Sequence, residues 1–185
     1  VGYLRPWKGL DILLDAVEHV RRAAPDVELV AIGGVDSLEA PHVAQLVERM
    51  RALEAVNGGT YRGPIPFGKA LFQEYADADV LILPSRSEGT PRVLIEARAF
   101  GCPVVATMVG GVSSSVEDGH DGILVPPHDH RSIAAAILRL RTDNALRRRL
   151  AENGLVRARG STVEGQADRF VAEAHRLLIE RNRHA

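Results

Sequence analysis

The sequence has little cysteine, almost no net charge and no long apolar run, and each shortage excludes a class of protein. One cysteine among 185 residues excludes an intrachain disulfide framework and a cysteine-based zinc site. A formal net charge of −1 gives no support for broad binding to nucleic acid or to a membrane surface. No apolar run approaches the ~20 residues that span a bilayer. The scarcity of cysteine favours a reducing, cytoplasmic location.

What is present has the size and composition of one globular domain. A chain of 185 residues buries roughly 70% of its unfolded surface, so it needs no disulfide or metal for stability. Hydrophobic residues make up 45% of the chain and charged residues 25%, and both fractions are ordinary for globular proteins. We therefore expect a single domain over residues 1–185.

Short apolar segments alternate with amphipathic segments along the chain. In LDILLDAVEHVRRA, leucine and valine recur at three- and four-residue spacing, which predicts a helix. In VLILPS and PVVAT the apolar residues do not alternate with polar ones, as is typical of strands buried on both faces. The predicted strands are 27–32, 60–63, 80–85, 103–107 and 121–127. The predicted helices are 10–23, 41–56, 68–77, 91–100, 130–141, 144–153 and a C-terminal helix over 162–183.

This alternation predicts a doubly wound α/β domain, in which helices cover both faces of a parallel sheet. The opening segment VGYL has a strand-like composition as well. Ligands of such sheets bind beyond the carboxyl ends of the strands. The candidate binding segments are therefore the loops GYLRPWKG, IGGVDS, RGPIPFG, PSRSEGTP and ATMVGGVSS.

The loop PSRSEGTP, residues 84–91, carries the most chemistry. We expect Thr90 to cap a helix over 91–100, with Pro91 in the first turn, where its fixed φ suits a helix. A helix start behind a glycine binds anions through its free backbone N–H groups. The expected donors are the backbone N–H groups of Gly89, Arg92 and Val93.

Two glutamates flank that helix start. Glu88 is suited to accept hydrogen bonds from hydroxyl groups beside a bound phosphate, and the alternative for it is a solvated loop glutamate. Glu96 lies further along the helix, four residues after Arg92. The alternative for Glu96 is a surface ion pair with Arg92, worth a few tenths of a kcal/mol.

Two other loops offer weaker signals. Lys8 follows Pro6 and precedes the first predicted helix, and a cation at this edge of the sheet is suited to a diphosphate. The alternative is an ordinary surface lysine. Gly110 and Gly111 form a glycine pair, which permits close approach of the backbone to a ligand.

Three further signals favour simpler interpretations. IGGVDS follows a strand but lacks the GxGxxG spacing of a dinucleotide site. The triplet His128-Asp129-His130 looks like a metal cluster, yet its place between two prolines and a helix favours a turn or cap role for Asp129 or His130. Cys102 stands between glycine and proline at the entry of a buried strand, which favours packing over nucleophilic catalysis.

Three elements then occur together and in order. The first is the pair Glu88 and Glu96 in E-x7-E spacing, and the second is the A-x-A-x-G-x-P-V-V-A run that follows it. The third is the VGG…DG..G.LVPP run. With VGYLRPWKG at the start, these elements resemble the C-terminal, donor-binding domain of the retaining GT-B glycosyltransferases of family 4, the glycosyl transferases group 1. The resemblance covers essentially the whole chain.

The resemblance implies a fold and a set of residue roles. The chain would be a Rossmann-like domain, one half of a GT-B fold, that binds a nucleoside-diphosphate sugar. Lys8 and Glu88 would be the catalytic residues, with Lys8 on the leaving diphosphate and Glu88 on the transferred sugar. Glu96 would bind the ribose, and the backbone near Pro64 would contact the base. The implied substrate-binding residues besides Glu96 are Gly2, Arg5, Pro64, Ile65, Gly89, Thr90, Pro91, Arg92 and Val93.

The resemblance also implies the partners. The donor would be a UDP or GDP sugar rather than an ADP sugar, and neither a metal nor another cofactor would be required. The acceptor, a glycan, lipid or small molecule, would bind to an N-terminal domain that we expect to be absent from this chain, so the isolated chain would be inactive. We expect a cytoplasmic protein, peripheral at the inner membrane face when full-length. Nucleic acid is not an expected partner, and a homodimer stays open.

Two positions depart from the family pattern. The family usually has arginine directly after the first glycine, where this chain has Tyr3, and Arg5 is the nearest replacement. The glutamate usual after the paired glycines is replaced by serine, at about Ser114. These departures keep open a non-catalytic Rossmann-like interaction module. A sugar-nucleotide epimerase of the same fold is another alternative, and the missing GxGxxG spacing disfavours a nicotinamide-binding domain.

Overall fold

Helices and parallel strands alternate along residues 1–35 and 40–161, the part of the chain that the computed structural model describes. The predicted C-terminal helix over 162–183 lies outside these residues. A 3-10 turn, Pro6–Lys8, precedes the first helix. The strands are β1 Leu29–Ala31, β2 Gly59–Tyr61, β3 Leu81–Leu83, β4 Val104–Thr107 and β5 Ile123–Val125. The helices are α1 Leu10–Arg21, α2 Pro41–Glu54, α3 Lys69–Asp77, α4 Arg92–Ala99, α5 Val112–Ser115, α6 His130–Thr142 and α7 Asn144–Arg159.

Each predicted strand is confirmed, and so is each predicted helix within the described residues, although several boundaries differ. Helix α4 begins at Arg92 with Pro91 as its N-cap, and no side chain caps it, so the predicted capping role of Thr90 is wrong. Helix α7 continues past the predicted end at residue 153. Gly154, in this extension, is buried against the Arg98 side chain, where a Cβ atom would lie 3.0 Å from Arg98 Cγ.

The five strands form two parallel sheets rather than the one sheet that the sequence predicts. β1 pairs with β2, and β4 lies between β3 and β5. In the described part of the chain no strand lies between β1 and β3, and a groove of about 640 Å³ separates them. The sheet is therefore interrupted at this point.

The opening segment VGYL lies at one end of this groove. The Gly2 N–H donates to the Ile32 carbonyl at 2.8 Å, and the Leu4 N–H donates to the Gly34 carbonyl at 2.9 Å. The segment thus runs beside the continuation of β1, but none of its residues is in a strand, so its predicted strand conformation is wrong.

Strand β4 shows how helices cover both faces of the larger sheet. All four of its residues are buried. Val104 packs into a cluster with Leu94 of α4, whereas Val105 packs into a second cluster with Ile133 of α6. Since successive strand residues point to opposite faces, the absence of polar alternation in PVVAT follows from burial on both sides. Full burial of each such side chain contributes roughly 1.5–3 kcal/mol. The predicted doubly wound, Rossmann-like α/β fold is confirmed.

A buried ion pair joins α4 to the segment before β5. Arg98 Nη2 lies 2.8 Å from Asp121 Oδ1, and both side chains are almost completely buried. Arg157 of α7 approaches the second oxygen of Asp121, with its Nε at 3.2 Å. Arg98 also donates to the Ser115 carbonyl at 2.8 Å. Burial lowers the pKa of the Arg98 guanidinium, and the Asp121 carboxylate opposes that shift.

Two sequence interpretations away from the strand ends are also settled. The Asp129 side chain caps α6 by accepting hydrogen bonds from the backbone N–H groups of Arg131 and Ser132, so its predicted cap role is confirmed. Cys102 is buried, and burial raises the pKa of its thiol to about 12, which agrees with a packing role. No helix within residues 1–35 and 40–161 is long and apolar enough to cross a membrane.

Candidate functional site

The 3-10 turn and the loop after β3 meet at the carboxyl edge of the larger sheet. Gly9 ends the turn with φ of 69°, a left-handed conformation that favours glycine. A Cβ atom at Gly9 would lie only 2.1 Å from the Pro84 carbonyl oxygen. Glycine therefore lets the turn that carries Lys8 rest directly on the loop that carries Glu88.

Lys8 and Glu88 form an ion pair across this junction. Lys8 Nζ lies 2.7 Å from Glu88 Oε1, and the Ser85 hydroxyl donates to the same oxygen at 2.6 Å. Glu88 is largely buried, with 8% of its side chain exposed, whereas Lys8 is 31% exposed. The alternative of a solvated Glu88 is therefore wrong, whereas Lys8 is a partly exposed lysine in an ion pair. Within the described residues both of these hydrogen bonds are made to Oε1 of Glu88 and none is made to Oε2.

Neighbouring segments contact the backbone of the loop that carries Glu88. The Thr107 hydroxyl at the end of β4 donates to the carbonyl of buried Ser85. The Gly111 N–H donates to the Glu88 carbonyl at 3.3 Å. A Cβ atom at Gly110 would lie 1.9 Å from the Glu88 carbonyl oxygen, and one at Gly111 would lie 2.1 Å from that of Gly89. The glycine pair therefore permits close approach of its backbone to this loop, and the predicted approach to a ligand stays a prediction.

Helix α4 begins just beyond Glu88 with its first N–H groups uncapped by any side chain. A Cβ atom at Gly89 would meet open space, so this side of the loop is accessible. Thr90 is exposed and Pro91 is the N-cap. The predicted donors Gly89, Arg92 and Val93 thus stand at an open helix start, the arrangement that binds anions.

Glu96 lies one turn into α4 and is held by a residue from another helix. The Tyr75 hydroxyl of α3 donates to Glu96 Oε2 at 2.8 Å. Burial raises the pKa of Tyr75 well above its usual range, and the hydrogen bond to Glu96 adds to that shift. Arg92 Nε is 3.9 Å from Glu96 Oε1 and its side chain is 81% exposed, so the predicted surface ion pair contributes little.

The remaining predicted residues lie at the start of the chain and in the loop after β2. The Arg5 guanidinium lies 5.1 Å from the ring centres of both Tyr3 and Trp7, which are exposed. Gly2 is fixed by its bond to Ile32. In the loop after β2, Pro64 is exposed and Ile65 packs against the cluster that also contacts Val93. The structure therefore places Lys8, Glu88 and the start of α4 together, with Arg5 held in an aromatic stack.

Three residues of the site were missed by sequence reasoning. Ser85 carries a local signal, because it follows β3 directly and lies three residues before Glu88. Tyr75 and Arg86 carry none, since their partners Glu96 and Asp11 are distant in sequence. Among the described residues no group of three or more His, Cys, Asp or Glu side chains is arranged to hold a metal ion.

Sequence comparisons place this site in a known family. The chain matches the family described as glycosyl transferases group 1 over residues 1–157. It is 37% identical over 177 residues to the D-inositol 3-phosphate glycosyltransferase of Acidothermus cellulolyticus, a match that covers 89% of this chain and 38% of that protein. It is 35% identical over 171 residues to the Stackebrandtia nassauensis protein of the same name, a match that covers 90% of this chain and 38% of that protein. The chain spans about two fifths of the length of these curated relatives.

Solved structures agree with the sequence match. Sucrose-phosphate synthase from Thermosynechococcus elongatus has a TM-score of 0.76 and 29% identity, with 97% of this chain and 45% of that chain covered. Anabaena HepE in complex with UDP has a TM-score of 0.79 and 28% identity, with 94% of this chain and 47% of that chain covered. HepE has also been solved in complex with UDP-glucose. Fold, motifs and comparisons converge, and this chain belongs to the glycosyl transferases group 1 family.

Proposed function

We propose that this chain is the donor-binding half of a retaining glycosyltransferase that moves a sugar from a nucleoside-diphosphate sugar to an acceptor hydroxyl. The observation that carries the proposal is the Lys8–Glu88 pair beside the open start of α4. A cation, uncapped N–H groups and a carboxylate with a free oxygen are here within reach of one small ligand. A diphosphate with a sugar attached has the matching anionic and hydroxyl groups.

Lys8 and the helix start are suited to the diphosphate. Glycosyl transfer passes through an oxocarbenium-like state while negative charge builds on the departing nucleoside diphosphate. A lysine held by Glu88 and backbone N–H groups fixed by α4 stabilise that charge without reorganising. Loss of one such fixed donor commonly reduces the rate about 100-fold or more, or ~3 kcal/mol.

The two glutamates are suited to the hydroxyl-bearing ends of the donor. Glu88 Oε1 is occupied by Lys8 and Ser85, so Oε2 is the oxygen that accepts from a sugar hydroxyl. Glu96 accepts from Tyr75 and keeps lone pairs for the ribose hydroxyls. We assign the base to the backbone near Pro64 and Ile65, after β2. In this arrangement the diphosphate lies between the two glutamates.

The proposed reaction needs no protein base in this half. The acceptor hydroxyl attacks on the face that the leaving group vacates, and a phosphate oxygen takes its proton. The configuration of the sugar is thereby retained. We propose metal-independent transfer and a UDP or GDP donor, and the UDP and UDP-glucose complexes of 28% identical HepE support the uridine form.

The acceptor belongs to the other half of the cleft. The chain covers 38% of the length of its curated relatives, so we propose that a further domain binds the acceptor and that this chain alone transfers no sugar. A cytoplasmic location, with peripheral association at the inner membrane face, stays a prediction. The acceptor class and a homodimer likewise stay open.

The proposal is tested by thermal denaturation with UDP, GDP, ADP and their glucose conjugates. A ligand at 100 times its dissociation constant adds about 2.7 kcal/mol to the free energy of unfolding. We expect UDP or GDP to raise the melting temperature and Lys8→Met to abolish most of the rise. If no nucleotide raises it at millimolar concentration, the donor-binding function is wrong.

Tyr3, which stands where the family usually has arginine, allows a second test by the same measurement. Tyr3 is exposed, and its ring stacks on Arg5. If the chain is a donor-binding domain, Tyr3→Arg strengthens UDP binding by adding a cation near the diphosphate. A non-catalytic interaction module predicts no effect from Tyr3→Arg or Ser114→Glu.

A further inference from the structure

An ion pair outside the proposed donor contacts joins the loop of Glu88 to the helix that follows Lys8. Arg86 Nη1 lies 3.0 Å from Asp11 Oδ1, and Arg86 Nη2 lies 2.6 Å from Asp11 Oδ2. The same guanidinium donates to the Pro6 carbonyl. The backbone N–H of Arg86 donates to the Trp7 carbonyl at 2.7 Å. One residue thus holds the 3-10 turn through both its side chain and its main chain.

The turn needs such external support because its own bonds are few. Within it, the Lys8 N–H donates to the Arg5 carbonyl at 2.9 Å, and the Gly9 N–H donates to the Pro6 carbonyl at 3.4 Å. A single 3-10 turn has poorer hydrogen-bond geometry than an α-helix and is short-lived without neighbours. The position of the Lys8 backbone is therefore set mainly by what the turn rests on.

We propose that Arg86 is a positioning residue for Lys8: its bidentate pair with Asp11 fixes the turn so that the Lys8 ammonium reaches the diphosphate site beside Glu88. This inference rests on the proposed donor-binding function and adds a residue to it. Arg86 does not contact the donor; it acts through the turn. An arginine is required, because the planar guanidinium binds the two carboxylate oxygens and the Pro6 carbonyl together, which a lysine ammonium does not do.

The exposure of the pair argues for a geometric role rather than a stabilising one. The Arg86 side chain is 29% exposed and that of Asp11 is 46% exposed. Ion pairs this accessible to water contribute about 0–1 kcal/mol to stability. The same pair lies next to the only lysine of the site, where a small displacement of the ammonium changes its contact with a phosphate oxygen. We therefore expect a larger effect on diphosphate binding than on unfolding.

The test compares ligands with and without the diphosphate. Dissociation constants for UDP and for uridine are measured by NMR titration of wild type, Arg86→Met, Arg86→Lys and Asp11→Asn. We expect each variant to bind UDP about tenfold more weakly, the loss typical of a hydrogen bond to a charged group, and to bind uridine unchanged. Arg141→Met is the matched control, because it removes a similar pair with Asp26 away from the site.

Measuring the effect of Arg86→Met with and without Lys8 distinguishes a positioning role of Arg86 from a general disturbance of the fold. If Arg86 acts through Lys8, Arg86→Met lowers UDP affinity no further in a Lys8→Met background. Additive losses, equal losses for UDP and uridine, or an unchanged UDP constant in folded Arg86→Met would overturn the proposal.

The environment of Trp7 gives a readout that needs no ligand. Trp7 is the only tryptophan of the chain and lies in the turn itself, so its emission reports on the turn. Arg86→Met is expected to shift that emission while the far-UV spectrum is unchanged, and Arg141→Met is expected to leave it unshifted. If wild type binds no UDP, the proposed function fails, and an unshifted Trp7 emission in Arg86→Met would separately reject the role of Arg86.

Discussion

The ammonium of Lys8 lies 2.7 Å from Oε1 of Glu88, a residue 80 positions away in the sequence. In the free protein each charge is therefore balanced by the other. The Lys8 ammonium must divide its hydrogen bonds between this carboxylate and an incoming diphosphate. Glu88 consequently has two opposing effects on a sugar nucleotide, because it competes for the lysine and supplies an oxygen for the sugar.

Glu88→Gln separates these two effects. Without the carboxylate, Lys8 is no longer neutralised, so we expect UDP to bind equally well or more tightly. We expect the additional affinity that a sugar gives UDP-glucose over UDP to fall about tenfold, since a charge-assisted hydrogen bond is lost. Calorimetric titration with both ligands measures the difference.

Glu117→Gln is the matched control for that experiment. Glu117 is an exposed glutamate, 66% accessible at its side chain, and within residues 1–35 and 40–161 its one ion-pair contact is to His120. It should change neither dissociation constant. Weaker binding of UDP itself to Glu88→Gln would contradict the competition between Glu88 and the diphosphate for Lys8.

The hydrogen bond from Tyr75 to Glu96 predicts a ribose-specific effect. Tyr75→Phe keeps the buried ring but removes the hydroxyl that orients Glu96. We expect a loss of about 1 kcal/mol in stability and a smaller preference for UDP over 2′-deoxy-UDP. Comparison of the two dissociation constants in wild type, Tyr75→Phe and Glu96→Gln measures that preference.

Phe72→Leu provides a control for the aromatic packing around Tyr75. The Phe72 ring stacks on Phe100, which in turn lies against Tyr75, but Phe72 has no hydroxyl. This variant should alter stability without changing the ribose preference. If Tyr75→Phe and wild type discriminate the two nucleotides equally, Tyr75 has no role in orienting Glu96.

The sequence predicted those parts of the site that depend on local order along the chain. Glu88 and Glu96 flank the start of one helix, so their spacing was enough to place them on opposite sides of it. The ends of β3 and β4 were visible as apolar runs, which located the loops. The capping role of Thr90 was wrong because Pro91 adopts an extended conformation and itself precedes the first helical residue.

Contacts between distant segments were not predictable in this way. Tyr75 lies on α3 and its partner on α4, and the Arg86–Asp11 pair spans 75 residues. Nothing in the local pattern of either segment specifies the partner, because each residue also suits an exposed position. The contact of Gly110 and Gly111 with the Glu88 loop was not predictable for the same reason.

The buried thiol of Cys102 predicts slow chemical modification. Burial raises its pKa from 9.0 to about 12, so the thiolate is scarce in the folded protein near pH 9. We expect iodoacetamide to react with the denatured chain and to leave the native chain unmodified, as measured by mass spectrometry. The raised pKa also makes stability depend on pH, because the thiol of the unfolded chain ionises at a lower pH than that of the folded chain. This contribution is complete below pH 9.0 and is lost as the pH rises towards about 12.

The buried pair of Arg98 and Asp121 predicts the largest loss of stability. Asp121→Asn keeps the shape of the side chain but leaves the Arg98 guanidinium buried without a counter-charge. Removal of one partner from such a pair costs about 3–5 kcal/mol, whereas the whole domain is stable by about 5–15 kcal/mol. Chemical denaturation should therefore show a much lower midpoint.

Asp26→Asn is the matched control for Asp121→Asn, since Asp26 also pairs with an arginine but is exposed. We expect no measurable change in its denaturation midpoint, because water screens that pair and replaces it. Arg98→Met combined with Asp121→Asn should recover part of the lost stability, since no uncompensated guanidinium is then left at position 98. If Asp121→Asn denatures at the same midpoint as Asp26→Asn, the pair does not stabilise the junction between α4 and β5.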